Sequence, residues 1–538
     1  MTFRYNISVA TAHKIQPEDG PKAGSQSVNP KPGASLAILA GFLLWLSSPP
    51  VGLWPLAWIA LAPLMVSVAR SKGIAQAARR GYLFGWCFLG PLWYWTGWTI
   101  VGWTGSPIGW LAWFGLTLVL ALFYAAWAAA AWKISRIQNP VLKVVGWASA
   151  WVVMEWARTL GSLSMPWEQL SYTQYHFLQV LQIADMTGAY GVSFLLALVG
   201  GAIAYRVLNP AKSDRSRPLW FAGVASVMVC LYGLARMQQK DIGPTMVVAD
   251  MQTGVSSFNV PSPDAQYALY AGLTKSASAA APAPDLYVWP ETGLPNDAIH
   301  NPRAYEFLQA LANKYNAAIV TGSRIDGSTG TSETNSSVMF LPGNLKPERY
   351  DKQRLVPFGE FIPFRGLLDP IVGRAFQFPP DDVSVGPHDA PMAAETPKVG
   401  HFSIGTFICY ESMYPMDVRA MTKSGADLLV TQSNDSWFRS TAARQQHIAA
   451  VTLRAIENRR EVVRSTTTGI TCVFDAEGRM LSRLPDDEPG YIDIVVHRMR
   501  GTTFYVRFGD WFVVVCMLFL ARLAWLSRRP NRLETVAE

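Results

Sequence analysis

The stretch His401-Phe-Ser-Ile-Gly-Thr-Phe-Ile-Cys409-Tyr410-Glu411 indicates both the type of fold and a reactive residue. Its apolar, β-type run predicts a strand that ends at Cys409, and the following Met413-Tyr-Pro-Met-Asp-Val-Arg-Ala-Met predicts a helix. A turn from strand to helix is expected to place the Cys409 thiol at an exposed edge, near helix-terminal N–H groups that stabilise a thiolate. We therefore expect Cys409 to be reactive.

Two further segments supply groups that such a thiol needs. A catalytic cysteine requires a base that takes its proton and a cation or donor that holds the developing oxyanion. Glu291 directly follows an apolar strand, whereas Lys352 precedes the apolar, proline-rich run 355–364, which could form a lid. Glu360, inside that run, could hydrogen-bond the lysine or Glu291. The alternatives for these three residues are a capping carboxylate, a solvated lysine and a surface loop carboxylate.

The composition of the rest of the chain indicates a membrane protein. Half of the 538 residues are hydrophobic, and the 21 tryptophans suit a protein with aromatic side chains at the membrane interface. Eight apolar segments are long enough for membrane helices, although the first could be half of a re-entrant hairpin. These segments lie at about 34–49, 51–69, 82–103, 108–132, 141–160, 189–208, 218–236 and 509–527.

The distribution of Lys and Arg predicts the orientation in the membrane. These residues concentrate in both tails and in alternate connections, whereas Ser47–Pro50 and Thr104–Pro107 contain none. The positive-inside rule then puts both termini in the cytoplasm and the long polar insert on the outer face of a cytoplasmic membrane. The net charge of +8 is therefore largely explained by Lys and Arg residues that set the orientation in the membrane. Since this charge needs no further explanation, we expect no nucleic-acid partner.

The polar insert has the pattern of an α/β domain. Short β-branched runs such as Asp427–Thr431 alternate with helical patterns such as Pro302–Tyr315 and Thr441–Asn458. The predicted divisions of the chain are a flexible cytoplasmic tail at 1–33, transmembrane helices 1–7 at 34–239, the α/β domain at 240–505, helix 8 at 506–527 and a cytoplasmic tail at 528–538.

The chain has five cysteines, and their positions predict different roles. Cys87, Cys230 and Cys516 lie in apolar segments, as small core hydrophobes do. Cys472 lies in the middle of a predicted strand, so we expect it to be buried and inert. A disulfide between Cys409 and Cys472 is the alternative in an oxidising compartment. Because that bond would abolish the reactivity of Cys409, we expect both thiols to stay free.

The order Glu291, Lys352, Cys409 resembles the Glu-Lys-Cys triad of the nitrilase superfamily. Three downstream segments are similar to that superfamily's pattern: Ser433–Phe438, Arg454–Arg459 and Val463–Ile470. Within the superfamily, the apolipoprotein N-acyltransferases carry a nitrilase-like domain before the last of eight membrane helices. Two segments of the membrane half, Trp151–Arg158 and Leu181–Phe194, resemble that family, so the resemblance extends over roughly residues 34–527.

The resemblance implies a stacked αββα sandwich in the periplasm of a bacterium and a two-step acyl transfer. Glu291 would deprotonate Cys409, and the thiolate would attack the sn-1 ester of a phospholipid while Lys352 stabilises the oxyanion. The free α-amine of a diacylglyceryl-cysteine at an apolipoprotein N-terminus would then attack the thioester. This chemistry requires no metal and no organic cofactor. The residues expected to support it are Glu360, Tyr410 and Glu411.

A lipid ester has to reach the site from the membrane, so apolar side chains should line its approach. The candidates, for which plain core packing is the alternative, are Phe358, Phe361, Phe364, Trp437 and Phe438. Glu155 and Arg158, near the outer end of the fifth span, either form a structural ion pair or have a role in placing headgroups or closing the site. Arg439 stands where we expect a small residue, which leaves the shape of that loop open.

Two other functions are compatible with parts of this sequence. A membrane-anchored amidase would use the same triad, with water replacing the amine as the second nucleophile. A transporter or channel with an outer receptor domain belongs to a different class. The predicted helices contain few ionisable residues and no evident internal repeat, which argues against a transporter.

Overall fold

The structure is a computed structural model that describes residues 32–161, 164–239, 243–327, 333–366, 382–439 and 441–528. The tails predicted at 1–33 and 528–538 lie almost entirely outside these residues.

The N-terminal part of the chain folds into a bundle of helices. Most are apolar around their whole circumference, as expected for helices surrounded by other helices or by lipid. The helices are α1 (Pro32–Ser47), α2 (Ala57–Ala69), α3 (Ile74–Leu92), α4 (Tyr94–Thr104), α5 (Ile108–Ile134), α6 (Pro140–Ala157), the short α7 (Leu178–Leu181) and α8 (Ala184–Thr187), α9 (Ala189–Leu208) and α10 (Arg217–Arg236).

Three helices in the described part of the chain are long and apolar enough to cross a membrane, namely Ile108–Ile134, Ala189–Leu208 and Arg217–Arg236. Gly33–Ser47, Trp54–Ala69 and Trp511–Ser527 are apolar but shorter. Eight membrane crossings are therefore not confirmed, and that number stays a prediction.

The continuous helix predicted at 82–103 is wrong, because the chain forms two helices there. Helix α3 ends at Leu92 and α4 begins at Tyr94, with Trp93 between them at φ −108° and ψ 13°. Trp93 and Trp95 at this break pack against Trp167, with ring centroids 6.5 and 5.0 Å apart. These long-range contacts of aromatic rings are not visible in a hydropathy pattern.

The polar insert forms two six-stranded sheets, which confirms the predicted α/β domain. The first has the order β12-β1-β2-β3-β4-β5 and the second β11-β10-β9-β8-β7-β6. The strands are β1 (Thr245–Gln252), β2 (Leu286–Val288), β3 (Ala318–Ile325), β4 (Thr334–Phe340), β5 (Glu348–Asp351), β6 (Met392–Thr396), β7 (Gly400–Ile408), β8 (Leu428–Ser433), β9 (Val462–Thr466), β10 (Cys472–Phe474), β11 (Met480–Arg483) and β12 (Gly490–His497).

The two sheets pack face to face and carry helices on their outer faces. Val248 and Val320 of the first sheet share a buried core with Ile404 and Val430 of the second. Helices α11 (Pro263–Ala277) and α12 (Pro302–Tyr315) cover the first sheet, and α13 (Pro415–Lys423) and α14 (Ala442–Asn458) cover the second. This layering brings the strand ends of both sheets together at one edge, where the candidate site lies.

Helix α14 joins the α/β domain to the helix bundle. Every residue of this helix except Gln445 is buried, because one side packs on the second sheet and the other on the bundle. Its Glu457 accepts a hydrogen bond of 2.9 Å from the backbone N–H of Ala189 at the start of α9. Two helices, α15 (Phe504–Phe508) and α16 (Trp511–Arg528), then return the chain to the bundle, where Val513 and Cys516 pack against Val152 and Tyr190.

All five cysteines are free thiols. Cys472 is fully buried, as predicted, and forms no disulfide with Cys409. Cys87 and Cys516 are buried as well, whereas Cys230 is half-buried.

Candidate active site

Strand ends from both sheets carry the predicted catalytic residues. Glu291 lies three residues beyond the end of β2, Lys352 directly follows β5, and Cys409 directly follows β7. Since the sheets face each other, these ends meet at one edge of the sandwich. Each of the three side chains is more than nine-tenths buried.

The turn at Cys409 differs from the exposed elbow that the sequence predicts. The cysteine is only 6% exposed and has a left-handed backbone with φ +50°. A non-glycine residue in that region is uncommon and marks a conformation that its surroundings impose. A short 3₁₀ turn, Cys409–Met413, follows before α13 begins at Pro415.

Glu411 fixes this turn. One carboxylate oxygen accepts hydrogen bonds from the Tyr350 hydroxyl (2.8 Å) and the Gln353 backbone N–H (2.6 Å). The other accepts from the Ile408 N–H at 2.6 Å. Burial raises the pKa of Glu411 to about 7, although these donors favour its charged form. Glu411 thus links the strand ends that carry Lys352 and Cys409.

Lys352 lies between two buried carboxylates. Its Nζ is 3.2 Å from Oε1 of Glu291 and 2.9 Å from Oε1 of Glu360. Asn335 of β4 donates from the same amide nitrogen to both of these oxygens, at 2.8 and 2.9 Å. The second oxygen of Glu291 accepts from the backbone N–H of Asn434 at 2.8 Å. Both carboxylates are therefore held rigidly against the ammonium.

The charges of this cluster oppose the cost of burial. Burial alone would lower the pKa of Lys352, but Glu291 and Glu360 outweigh it and raise that pKa above its ordinary value. Burial would raise the pKa of Glu360, but Lys352 and the Asn335 hydrogen bond keep it below the ordinary value. Lys352 is therefore a permanent cation at this site.

The Cys409 thiol is neutral at rest, so the stabilisation of a thiolate that the sequence pattern favours does not dominate its pKa. Burial, followed by the nearby Glu291 carboxylate, raises the pKa of the thiol to about 12, although Lys352 opposes the shift. The strand-to-helix turn does not offset this effect, because the 3₁₀ turn replaces the first turn of a helix. Proton removal thus has to accompany nucleophilic attack.

A second buried network holds the backbone of the cysteine. His447 of α14 donates from Nε2 to the Cys409 carbonyl at 2.9 Å, and its Nδ1 lies 3.2 Å from Arg464. Arg464 in turn donates to both oxygens of Asp435 at 3.0 Å. Burial would raise the pKa of Asp435, but Arg464 outweighs it and lowers that pKa. We did not predict His447, since a lone histidine in a helix gives no sequence signal.

Tyr410 and Phe438 form an aromatic wall with two tryptophans of the helix bundle. The Tyr410 ring stacks on Trp167 at 6.2 Å, and Phe438 lies 5.2 Å from Trp95 and 6.0 Å from Trp167. The Tyr410 hydroxyl donates to the Ser164 carbonyl at 3.2 Å. Trp95 and Trp167 were not predicted as site residues, although the many tryptophans indicated aromatic side chains at the membrane interface.

Gln446 of α14 anchors this wall. Its Oε1 accepts hydrogen bonds from the indole nitrogens of Trp95 (3.1 Å) and Trp167 (2.7 Å). Its amide nitrogen donates to the carbonyls of Pro49 and Leu92. One glutamine therefore fixes four elements of the bundle against the catalytic domain.

The other predicted lipid-facing residues lie at the rim. Trp437 is 37% exposed and packs edge-on against Trp103 at 5.4 Å, while Phe358 and Phe364 expose large parts of their rings. Phe361 is half-buried beside them. Core packing is thus excluded for Phe358 and Phe364.

The structure also defines the shape of the loop at Arg439. The Arg439 backbone adopts φ +50° and ψ −155°, and its guanidinium lies 5.5 Å from the Phe258 ring.

Glu155 and Arg158 are both buried, and no ion pair joins these two described residues. Glu155 accepts from the Trp151 indole at 2.8 Å and from the Leu170 N–H at 2.7 Å. Arg158 donates to the Trp167 carbonyl at 2.7 Å. The structural ion pair is therefore wrong, and the two residues hold the segment that carries Trp167. A role in placing headgroups or closing the site stays a prediction.

Groups of three or more His, Cys, Asp or Glu side chains that could hold a metal ion do not occur among the residues described above.

Two family models match the chain. Residues 40–202 match the apolipoprotein N-acyltransferase N-terminal domain, and residues 250–502 match the carbon-nitrogen hydrolase model. A relative from Geobacter metallireducens named apolipoprotein N-acyltransferase is 32% identical, with 93% of this chain and 96% of the relative covered. One of the same name from Azotobacter vinelandii is 31% identical with the same coverage. Among solved structures, the chain is similar to the crystal structure of Saccharomyces cerevisiae Nit3, a member of the nitrilase superfamily. The match covers 48% of this chain and 92% of Nit3, with 20% sequence identity and a TM-score of 0.38.

Proposed function

This chain belongs to the apolipoprotein N-acyltransferase family, and on that basis we propose that it moves a fatty acyl group from a phospholipid to the α-amine of a diacylglyceryl-cysteine at the N-terminus of an apolipoprotein. The observation that carries the proposal is the buried cluster of Glu291, Lys352 and Cys409 next to an aromatic wall shared with the helix bundle. Such a wall suits a lipid ester as donor.

In the first half-reaction, Glu291 takes the proton of the Cys409 thiol as sulfur attacks the sn-1 carbonyl carbon. The raised thiol pKa requires this concerted base, and the hydrogen bonds from Asn335 and Asn434 hold the Glu291 carboxylate in place. Lys352, a permanent cation, stabilises the tetrahedral oxyanion together with backbone N–H groups near Tyr410. Collapse of this intermediate breaks the ester C–O bond, and the lysophospholipid leaves with the proton.

In the second half-reaction, the acceptor amine attacks the thioester carbon of acyl-Cys409. Glu291 accepts a proton from the attacking amine, and the C–S bond breaks to give the amide and a sulfur that recovers the proton. A thioester is well suited to this relay, because it reacts with amines far more readily than the donor's oxygen ester does. Glu360 holds Lys352 in position through both steps, at a distance of 2.9 Å.

The reaction is proposed to take place at the outer face of the bacterial inner membrane. The Lys and Arg distribution supports cytoplasmic termini and a periplasmic catalytic domain of residues 240–505, with helices before and after it crossing the membrane. The aromatic rings at the rim, Trp103 and Trp437, fit the interfacial position that tryptophan prefers in membrane proteins.

Intact-mass measurement of the purified full-length protein tests this function. After incubation with phospholipid vesicles, we expect a mass increase of one fatty acyl group that hydroxylamine removes. Cys409→Ala should lack it, and Cys472→Ala, a variant of the other buried cysteine of this domain, should retain it. A diacylated peptide should discharge the adduct. An adduct that persists in Cys409→Ala contradicts the mechanism, and discharge by water as fast as by peptide indicates the amidase alternative.

A further inference from the structure

A cleft with a volume of about 620 Å³ lies beside the catalytic cluster, outside the helix bundle. Loops of the first sheet and the start of helix α12 supply most of its lining, and no lining residue comes from α1–α10. Thr292 and Asp326 are exposed in it, so the cleft opens to solvent. Its volume is within the range of about 300–1,000 Å³ typical of ligand sites.

The inner end of the cleft adjoins the residues that hold the catalytic carboxylates. Asn434 lines it, and the backbone N–H of the same residue donates to Glu291. Arg324 also lines it, with a guanidinium nitrogen 3.9 Å from Oε1 of Glu360. Thr292, which follows Glu291 directly, is exposed although Glu291 itself is only 6% exposed. The cleft and the aromatic wall thus approach the site from different elements.

A strained turn at Thr292 forms the side of the cleft next to Glu291. Thr292 has φ +51°, a conformation that β-branched residues rarely adopt. The turn packs directly on β3, where a Cβ at Gly322 would lie 2.6 Å from both the Glu291 Cα and the Thr292 nitrogen. This close packing compels the chain to turn sharply after Glu291, which buries the carboxylate and directs the next residue into the cleft.

The polar groups of the cleft suit a polypeptide main chain. Among the described residues, the Arg324 guanidinium forms an ion pair with Glu360 at 3.9 Å but donates no hydrogen bond, so its N–H groups can donate to a ligand. The side-chain Oδ1 of Asn296 accepts from the Tyr267 hydroxyl at 3.1 Å, which leaves the Nδ2 donors of the same amide for a ligand. Guanidinium and amide donors match peptide carbonyls, and the Asp326 carboxylate can accept from peptide N–H groups.

We propose that this cleft binds the polypeptide segment immediately following the lipidated cysteine of the acceptor, a site that rests on the proposed function. The acceptor's acyl chains are apolar and suit the aromatic wall, whereas its amine must reach acyl-Cys409 beside Glu291. The attached polypeptide cannot leave along the wall without burying unpaired main-chain groups, which is costly. The cleft offers it a polar path to solvent that starts at Thr292, the residue after Glu291.

Two acceptors with identical lipid test this site: diacylglyceryl-cysteine methyl ester, and a hexapeptide that begins with the same lipidated cysteine. With the full-length protein in phospholipid vesicles, we expect the peptide to have a KM about tenfold lower, equivalent to about 1.4 kcal/mol. Val255→Trp, which fills the cleft, should remove this advantage without changing acylation of Cys409 by phospholipid. Val495→Trp, at an exposed position outside the cleft, should preserve it.

His300→Trp, at the exposed rim of the cleft, is the second variant in case Val255→Trp does not fold, as judged by loss of Cys409 acylation. Equal KM values for both acceptors in the wild type would overturn the site, as would an unchanged peptide advantage in a folded cleft-filling variant. A wild-type protein that forms no acyl-enzyme, or whose acyl-enzyme neither acceptor discharges, would instead refute the proposed function itself.

Discussion

Nζ of Lys352 lies 3.2 Å from Oε1 of Glu291, with both side chains removed from solvent. Breaking a buried ion pair leaves an uncompensated charge, whereas an intact pair adds little net stability. A second carboxylate, Glu360, and the amide of Asn335 complete the arrangement. The pair is thus better explained by the acid-base and oxyanion chemistry proposed above than by a need for stability.

Lys352→Met should slow acyl-enzyme formation severely. It removes the cation proposed to hold the oxyanion, a loss of about 10²–10³-fold in rate for one such donor. It also leaves two buried carboxylates unpaired, so we expect destabilisation by about 3–5 kcal/mol. Time-resolved intact mass measures the first effect and thermal unfolding in detergent the second. Lys346→Met, at an exposed lysine, is the control and should change neither. A normal acylation rate in Lys352→Met would exclude the lysine from catalysis.

The Cys409 thiol should be alkylated slowly near neutral pH. Because its pKa is raised to about 12, the thiolate fraction should rise about tenfold per pH unit between pH 7 and 10. A cysteine in the unfolded chain should level off near its ordinary pKa of about 8.5. Iodoacetamide labelling followed by peptide mass analysis measures the alkylation rate of Cys409 against pH in the folded and in the unfolded protein. Glu291→Gln removes a charge that raises this pKa, so labelling at pH 8 should accelerate. A plateau below pH 9 in the folded protein would contradict the raised pKa.

Gln446→Leu should loosen the aromatic wall. Its Oε1 accepts from two buried indoles, and each donor left unsatisfied costs about 1–3 kcal/mol. We expect a lower unfolding temperature and a raised KM for the phospholipid donor. Gln446→Glu retains the acceptor oxygen, so its KM for the phospholipid should lie between those of the wild type and Gln446→Leu. This comparison separates the effect of the wall's geometry from a general loss of stability. If Gln446→Leu keeps the wild-type KM, the wall does not position the donor.

Arg439 is expected to tolerate glycine but not valine. Its backbone at φ +50° and ψ −155° favours a residue without a Cβ, and strain of this kind costs about 1–3 kcal/mol. Arg439→Gly should therefore fold at least as well as the wild type despite losing the contact with Phe258, whereas Arg439→Val should be less stable. Comparison of unfolding temperatures tests this order. The reverse order would mean that the arginine side chain stabilises the loop more than its backbone strains it.

Sequence patterns predicted the α/β domain and the residues at its strand ends well. Each strand is a local run of β-branched residues, and the residue after it is readable from the chain, as with Lys352 after β5 and Cys409 after β7. The break at Trp93 was missed because it is accompanied by packing against Trp167, which a hydropathy pattern does not show. The early start of α3 was missed because its first turns contain Gln76, Arg79 and Arg80, which lower the local hydropathy.

The sequence by itself determined which chemical groups the site contains: a carboxylate, an ammonium and a thiol, in the order Glu291, Lys352, Cys409. Only the tertiary structure decided their state. Burial makes the thiol neutral rather than ionised, and Asn335 and Glu360 hold the charges in place. The wall depends on Gln446 and Trp95, which are 351 positions apart. Burial and contacts over such separations arise from packing of the whole chain, and local patterns carry no record of them.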